Sequence, residues 1–421
     1  MLVDKLKDKF VELYGDGDIS TFFSPSRINL IGEHIDYNGG RVLPAAINIG
    51  TYGLVRKRND DIINLSSENF DLKVTVELEN LKYDKIHGWG NYPKSVLYFM
   101  KESGYTIGGM DILVKGNIPN GAGLSSSASL ELLIAVMVNN LFNKGKIPML
   151  ELVKLCQRAE NLYIGVRCGI MDQFAIGMGK KDKAILLDTN TLYFEYIEMN
   201  LGQNTLIVMD TDKRRELSDS KYNERRAECE EGLKILKEFI NINSLCDLSI
   251  EEFDFLGSQI SDDKIRKRVK HVVYENNRVN LTSTALRSGD IESVGKFLIE
   301  SHNSLKDLYE VTGIELDSIV NAANSFDFCL GARMMGAGFG GCAIAIVNQG
   351  KVQEFMEHVE HIYKKETGKQ CKFYLAEISD GTKQLFDWDF DVKDKLIYEG
   401  LAYFCFVNAK ALKMQRYHNL V

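Results

Sequence analysis

The chain has 421 residues, 45% hydrophobic and 26% charged, with a formal net charge of −8. This is the composition of a soluble globular protein long enough for two domains or three. An acidic balance, with no basic cluster beyond short runs such as Lys264 to Lys270, argues against a nucleic-acid partner. Residues Met1 to Lys5 start no signal peptide and no apolar run reaches the length of a membrane span, so the expectation is a cytoplasmic protein without a membrane partner. With five prolines and no low-complexity linker, the domains are expected to share a tight interface. The eight cysteines, at 156, 168, 229, 246, 329, 342, 371 and 405, form no C-x-x-C pair. Reduced, buried thiols are therefore expected, rather than zinc or disulfide chemistry.

Taken in order, residues 4 to 14 read as an amphipathic helix, with Leu6, Phe10 and Leu13 at helical spacing. Next, a core strand runs into a glycine-rich loop. Between Phe22 and Pro44 this stretch carries Arg27, Asn29, Glu33, His34, Asp36 and Asn38, interleaved with apolar residues and glycines. One at a time these are ordinary surface or structural residues. As a block they aim donors and acceptors at one point, which suits a polyhydroxylated ligand whose hydroxyls both give and receive hydrogen bonds. Residues 50 to 116 read as β-rich, with alternating segments such as Leu72 to Leu78, interrupted by Trp89, Tyr92 and a helix-like stretch at Val96 to Met100. An aromatic there could cover a base, although packing in the core is its plainer use.

A strand at Met110 to Val114 leads into Pro119-Asn120-Gly121-Ala122-Gly123-Leu124-Ser125-Ser126-Ser127-Ala128-Ser129, and a helix follows from Ala128 to Leu141. A glycine-rich turn delivered into a helix N-terminus brings backbone N–H groups and a positive dipole end to an anion, with three hydroxyls at hand. It is a phosphate cradle, but not a Walker loop, since G-x-x-x-x-G-K-[ST] occurs nowhere. A second helical stretch, Met149 to Val166, contains Glu160 and leads to Cys168-Gly169-Ile170-Met171-Asp172-Gln173-Phe174. Asp172 sits among apolar neighbours, where an unpaired carboxylate is costly, so a cation or hydrogen bonds must compensate. A carboxylate so placed is either a helix cap or a candidate base.

The second half opens with a strand at Thr205 to Asp210 and a charged helix around Tyr222. Helices are predicted over about 228–240, 262–287 and 290–307. A second glycine-rich turn, Gly331 to Gly341, opens into a strand at Ala343 to Val347. A helix over about 351–366 and a strand at Lys372 to Ala376 follow. This order suggests an α+β domain with helices on one face of a mixed or antiparallel sheet.

Three motifs thus stand in fixed order: the Arg27-to-Pro44 block, the Pro119-to-Ser129 loop and the Gly331-to-Gly341 turn. Their order and wording resemble the GHMP small-molecule kinases, and the first block narrows the resemblance to the galactokinases. The phrases Cys168 to Gln173, His271-Val272-Val273-Tyr274-Glu275-Asn276 and Ser301-His302-Asn303-Ser304-Leu305 support it, and it runs from about residue 20 to about 385. The resemblance implies an α+β two-domain fold, with the active site in the cleft between the domains. A ribosomal-S5-like α/β domain would take residues 1–200 and a ferredoxin-like domain 201–387, with an extension of unknown role at 388–421. It further implies ATP-dependent phosphorylation of the anomeric hydroxyl of α-D-galactose to galactose 1-phosphate, the first step of galactose breakdown by the Leloir route.

Roles follow by matching position. Asp172 and Arg27 resemble the catalytic pair, and Glu33, His34, Asp36, Gly169 and Tyr222 the sugar-contacting residues. The stretch Pro119, Asn120, Gly121, Ala122, Gly123, Leu124, Ser125, Ser126, Ser127 and Ala128 resembles the ATP-binding loop. Ser127 and Glu160 match the magnesium positions, Mg2+ and ATP being the implied cofactor and co-substrate. Galactose and ATP are the implied partners, with no obligate protein partner. Two residues depart from the pattern: Ser26, where the family usually has glycine, and Met335, where threonine is common. Two other readings stand beside this one. One is a kinase for a related sugar, N-acetylgalactosamine or arabinose; the other is a sensor that binds galactose and ATP, although in that lineage the phosphate loop is shortened after its serines and here Ser125 to Ser129 is complete.

Overall fold

The computed structural model describes residues 2–118, 123–213 and 218–386. Pro119 to Ala122 of the phosphate loop, Cys405 and the extension 388–421 lie outside the described residues. The first half is organised on a six-stranded sheet in the order Lys383–Leu385, Ser20–Asn29, Pro44–Lys57, Met110–Gly116, Ile62–Ser67, Val74–Glu77. All neighbours are antiparallel except Met110–Gly116 beside Ile62–Ser67. Successive side chains of a strand point to opposite faces, and here both faces are covered. Phe22 enters the main core while Phe23 joins a smaller cluster with Phe10, Leu6 and Val3 under the N-terminal helix Leu2–Tyr14; Leu54 and Val55 divide in the same way. On the main-core side the sheet meets the helices Ser126–Asn143 and Met171–Met178, the first of which packs against Asn91–Glu102 and Met149–Ala159. Asp111, which alternation would have turned to solvent, is instead fully buried and paired with Arg56 and Arg58.

In the second half a four-stranded antiparallel sheet runs Cys329–Met334, Cys342–Asn348, Asn204–Asp210, Lys372–Ala376. Numbered along the chain, that order is 2-3-1-4, the ferredoxin-like arrangement. Helix Ile291–Ser304 packs on its Cys329–Met334 edge, and helices Ile314–Asn324 and Val352–Thr367 pack on each other and the sheet. The long helix Asp263–Ser288 is capped at its start by the Asp262 side chain and closed by left-handed Gly289, as a helix between polar loops requires. It links helix Ser218–Leu236 to Ile291–Ser304.

Strand Lys372–Ala376 coincides with the sequence pattern, whereas the charged helix around Tyr222 and the helix expected over 228–240 are one, Ser218–Leu236, and helix Ile314–Asn324 was not anticipated. One difference matters for the site. The stretch expected to be helical to Val166 is α-helical only to Ala159, and the chain widens into a π-turn over Glu160–Ile164. The halves are also interleaved at the end, because Lys383–Leu385 pairs with Thr21–Phe23 of the first sheet.

Candidate active site

Arg27 lies near the end of strand Ser20–Asn29 and is almost wholly buried. Its Nε donates to Asp172 Oδ1 at 2.7 Å and its Nη2 to Oδ2 at 2.9 Å, a two-pronged pair whose planar geometry is stronger and more directional than a single contact. The third nitrogen, Nη1, donates to the carbonyl of Gly123 at 3.1 Å. Asp172 is the second residue of helix Met171–Met178, where the dipole favours a carboxylate, and it stays partly open to solvent. The compensation that its apolar neighbours required is therefore supplied by Arg27. Ser125 adds to it, its hydroxyl donating to Asp172 Oδ2. Ser125 is a left-handed non-glycine residue just ahead of helix Ser126–Asn143, so the described end of the phosphate loop (Gly123, Leu124, Ser125, Ser126, Ser127, Ala128) is tied to the Arg27–Asp172 pair. Ser26, one of the two departures, sits buried and donates to the Leu124 carbonyl, a further tie to the same loop.

Beyond that loop end, the Ser127 hydroxyl lies near the carboxylate of Glu160. The π-turn that begins at Glu160 interrupts the regular helix at this carboxylate, a distortion common at functional sites. Burial pushes the Glu160 carboxyl up to about 7, partly offset by the nearby Ser127 hydroxyl. Gln173 Nε2 donates to Glu160 Oε2 at 2.6 Å and to Glu131 at 3.3 Å. A hydroxyl and a buried carboxylate are hard oxygen donors, and a divalent cation would relieve the cost of keeping Glu160 ionised, so the pair fits magnesium. Among the described residues no group of three or more His, Cys, Asp and Glu is placed to hold a metal ion. Magnesium characteristically takes one or two carboxylates, with waters and substrate phosphates completing its shell.

The block from Glu33 to Asp36 forms the other side. Glu33 is fully buried; its Oε1 accepts from the Gly336 backbone at 2.6 Å and lies 3.3 Å from Arg333 Nη2, and its Oε2 accepts from Asn29. Burial raises its pKa against the pull of Arg333. His34 Nε2 is 3.2 Å from the Ala337 carbonyl, which can only accept, so this nitrogen carries the proton; Nδ1 meets the Tyr37 hydroxyl at 2.8 Å. The rings of Tyr222 and Tyr309 lie against His34, with centroids 5.6 and 4.8 Å away. Asp36 is half-buried, and desolvation, with the nearby charges of Asp172 and Glu33, pushes it up to about 7. A Cβ at Gly169 would collide with the Asp36 carboxylate, so glycine here lets that side chain lie directly against the backbone. A recess of about 330 Å³ opens here, lined by Asp36, Tyr37, Lys154, Cys168, Gly169 and Arg226 among others.

Arg27, Glu33, His34, Asp36, Gly169, Asp172 and Tyr222 thus come together, with Ser127 and Glu160 adjoining through Gln173. Trp89 is stacked on Phe70 at 6.4 Å and donates to the Leu72 carbonyl. Sequence reasoning missed Arg333, Gln173, His271 and Glu275. Arg333 is wholly buried and donates through Nη1 to the carbonyls of Asn29 and Leu30. The signal for these residues was present only as wording: His271 and Glu275 stand in one supporting phrase, and Gln173 follows Asp172. Met335, the second departure, receives the Asn29 backbone N–H on its sulfur at 3.4 Å.

Three family models match the chain: GHMP kinases N terminal domain at residues 91–180, galactokinase galactose-binding signature at 8–57, and GHMP kinases C terminal at 282–365. A galactokinase of Clostridium tetani is 56% identical over 385 residues, which is 91% of this chain and 98% of that protein. The crystal structure of Lactococcus lactis galactokinase complexed with galactose superposes with a TM-score of 0.89 at 47% identity, covering 91% of this chain and 100% of that one. Methanococcus jannaschii mevalonate kinase, at 22% identity and a TM-score of 0.61 over 87% of this chain and 100% of that one, shares the fold. With the signature over the Arg27 block, the two GHMP domains and half or nearly half of all positions identical across most of its length, this chain belongs to the galactokinase family of GHMP kinases.

Proposed function

We propose that this chain transfers the γ-phosphoryl group of ATP to the anomeric hydroxyl of α-D-galactose, giving galactose 1-phosphate and ADP. The observation that carries the reading is the Arg27–Asp172 pair, bonded on one side to the phosphate-loop end through Gly123 and Ser125 and neighboured on the other by Glu33 and Asp36. Phosphoryl transfer asks for positioning and charge stabilisation more than for covalent chemistry. Asp172 accepts the proton of the sugar O1 hydroxyl or orients that hydroxyl toward the phosphorus. Arg27 keeps Asp172 ionised by its charge and stabilises the negative charge spread over the phosphoryl oxygens in transit. The helix start at Ser126 and the loop before it bind the β- and γ-phosphates through backbone N–H groups.

Ser127 and Glu160 would hold magnesium, which when bound would offset the negative charge of the phosphates. Gln173 fixes the Glu160 carboxylate for that purpose. Glu33, His34 and Asp36 supply donors and acceptors to the sugar hydroxyls, Tyr222 lends its ring to that wall, and Gly169 keeps the space open. Residence in the cytoplasm agrees with the seven free cysteines of the described chain and with the lack of any helix there long and apolar enough to cross a membrane. The testing experiment is ADP release with MgATP over galactose, 2-deoxygalactose, galactosamine, N-acetylgalactosamine, arabinose and glucose. Turnover confined to galactose and its 2-deoxy analogue is the expected result. Galactose binding without turnover would overturn the reading in favour of a sensor.

A further inference from the structure

The turn that carries Glu33 and His34 is held in part from outside. Gly32 has φ +105°, and a Cβ there would stand 3.0 Å from both the Arg41 carbonyl and Val279. Two residues on, His34 has φ +65°, a left-handed conformation that a side-chain-bearing residue takes only when its surroundings impose it. From the first half, Asn38 Nδ2 donates to the His34 carbonyl at 2.8 Å; the other surroundings come from the second half of the chain. The Gly32 N–H donates to Glu275 Oε1 at 3.1 Å. The Glu33 carbonyl accepts from His271 Nε2 at 3.1 Å, the carbonyl being able only to accept. Further along, the Arg41 N–H donates to Asn276 Oδ1 at 2.9 Å.

His271 and Glu275 are four residues apart on helix Asp263–Ser288, hence on one face. Each is braced by the next helix, Ile291–Ser304: Ser304 Oγ meets His271 Nδ1 at 2.8 Å, and Ser301 Oγ donates to Glu275 Oε1 at 2.6 Å. Arg278 Nε donates to Glu275 Oε2 at 2.7 Å. Burial opposes charge on both residues. His271 is held down to about 4 and is neutral, while Arg278 overrides burial at Glu275 and holds it down to about 2, so it is ionised. The Glu33 carbonyl, able only to accept, fixes the proton on Nε2, and the Ser304 hydroxyl then donates to the neutral Nδ1.

We propose that His271 and Glu275 are positioning residues for the sugar: braced by Ser304 and Ser301, they set the backbone of the Gly32–His34 turn from across the domain interface, and so govern sugar affinity rather than phosphoryl transfer. This rests on the reading of Glu33 and His34 as sugar contacts. The test measures kcat, the KM for galactose, the KM for ATP and the melting temperature of His271→Ala, His271→Gln and Ser304→Ala, beside wild type and Glu33→Ala. Gln can place an N–H donor where Nε2 stood.

His271→Ala is expected to raise the galactose KM about tenfold, the worth of one hydrogen bond to a buried carbonyl, with kcat and the ATP KM within about threefold. His271→Gln recovers most of that loss, and Ser304→Ala shows a smaller shift of the same kind. If His271→Ala does not fold, Ser304→Ala and His271→Gln carry the test. A fall in melting temperature with an unchanged galactose KM, or equal rises in both KM values, overturns the proposal. If Glu33→Ala raises the galactose KM while the His271 and Ser304 variants do not, the sugar reading stands and the positioning proposal fails. Wild-type protein that does not turn over galactose removes both.

Discussion

The two ends of the site are built differently. The phosphoryl end is drawn wholly from the first half of the chain. Arg27, Gly123, Ser125 and Asp172 bond one another directly, and Ser127, Glu160 and Gln173 follow on the adjoining helices. The proposed sugar end lies mostly on the first half, with Tyr222 from the second. Asn29 on Glu33, and Tyr37 and Asn38 on His34, hold it from within. The second half adds Glu275 and His271 on the backbone of the turn, Gly336 and Arg333 on Glu33, and the Ala337 carbonyl on His34. On the proposed reading, chemistry is assembled inside the first half, whereas recognition depends on how the two halves meet. Variants at the first end should act on kcat, and variants at the second on sugar affinity.

The sharpest break in that comparison is expected at Asp172. Asp172→Ala removes the acceptor for the sugar proton and leaves Arg27 buried without its partner, and kcat should fall by about 10²–10⁴-fold. Arg27→Ala should cost about 10²–10³-fold through lost charge stabilisation. Because the two residues act as a unit, the double variant should be little worse than the single Asp172→Ala, a non-additivity that steady-state kinetics would register. Next comes Asp36→Ala, expected to weaken galactose binding by about 10–100-fold, the range for hydrogen bonds to a charged group, with little change for ATP. Calorimetry showing the reverse would move Asp36 to the nucleotide end.

Gly169→Ala tests the same wall sterically. The new methyl group meets the Asp36 carboxylate and must push it aside, so a rise in galactose KM of about tenfold is expected at nearly unchanged ATP KM. The smallest effect concerns pH. Asp36 titrates at about 7 when folded, well above its ordinary value of 3.8, so between those limits the native state keeps a proton that the unfolded chain has lost. Stability of the ligand-free protein should therefore fall as pH rises from 5 to 8, by about 2 °C in melting temperature from this group, and Asp36→Asn should flatten that part of the slope.

Much of this was legible in the residues, for reasons that can be named. Alternating segments such as Leu72 to Leu78 marked strands, here Val74–Glu77, and periodic apolar runs placed the helices. Asp172 announced a partner because an apolar neighbourhood cannot carry a lone carboxylate, and Arg27 is that partner. The π-turn at Glu160 was not legible, since apolar periodicity continues through it and only the wider turn reveals the break. Nor was the frame around the sugar turn. His271, Glu275, Ser301 and Ser304 look like ordinary polar residues on amphipathic helices until folding brings the first two to residues about 240 positions away and the two serines against them. Ser26 and Met335 stood out as departures from the family pattern; each makes a contact of its own, to Leu124 and to Asn29.

The most direct test of the division between the two ends is to measure both properties on one variant. Asp172→Ala should bind galactose within a few-fold of wild type by calorimetry, because the turn and its frame are untouched, while ADP release with MgATP falls to background. ADP release near the wild-type rate in that variant would contradict the account.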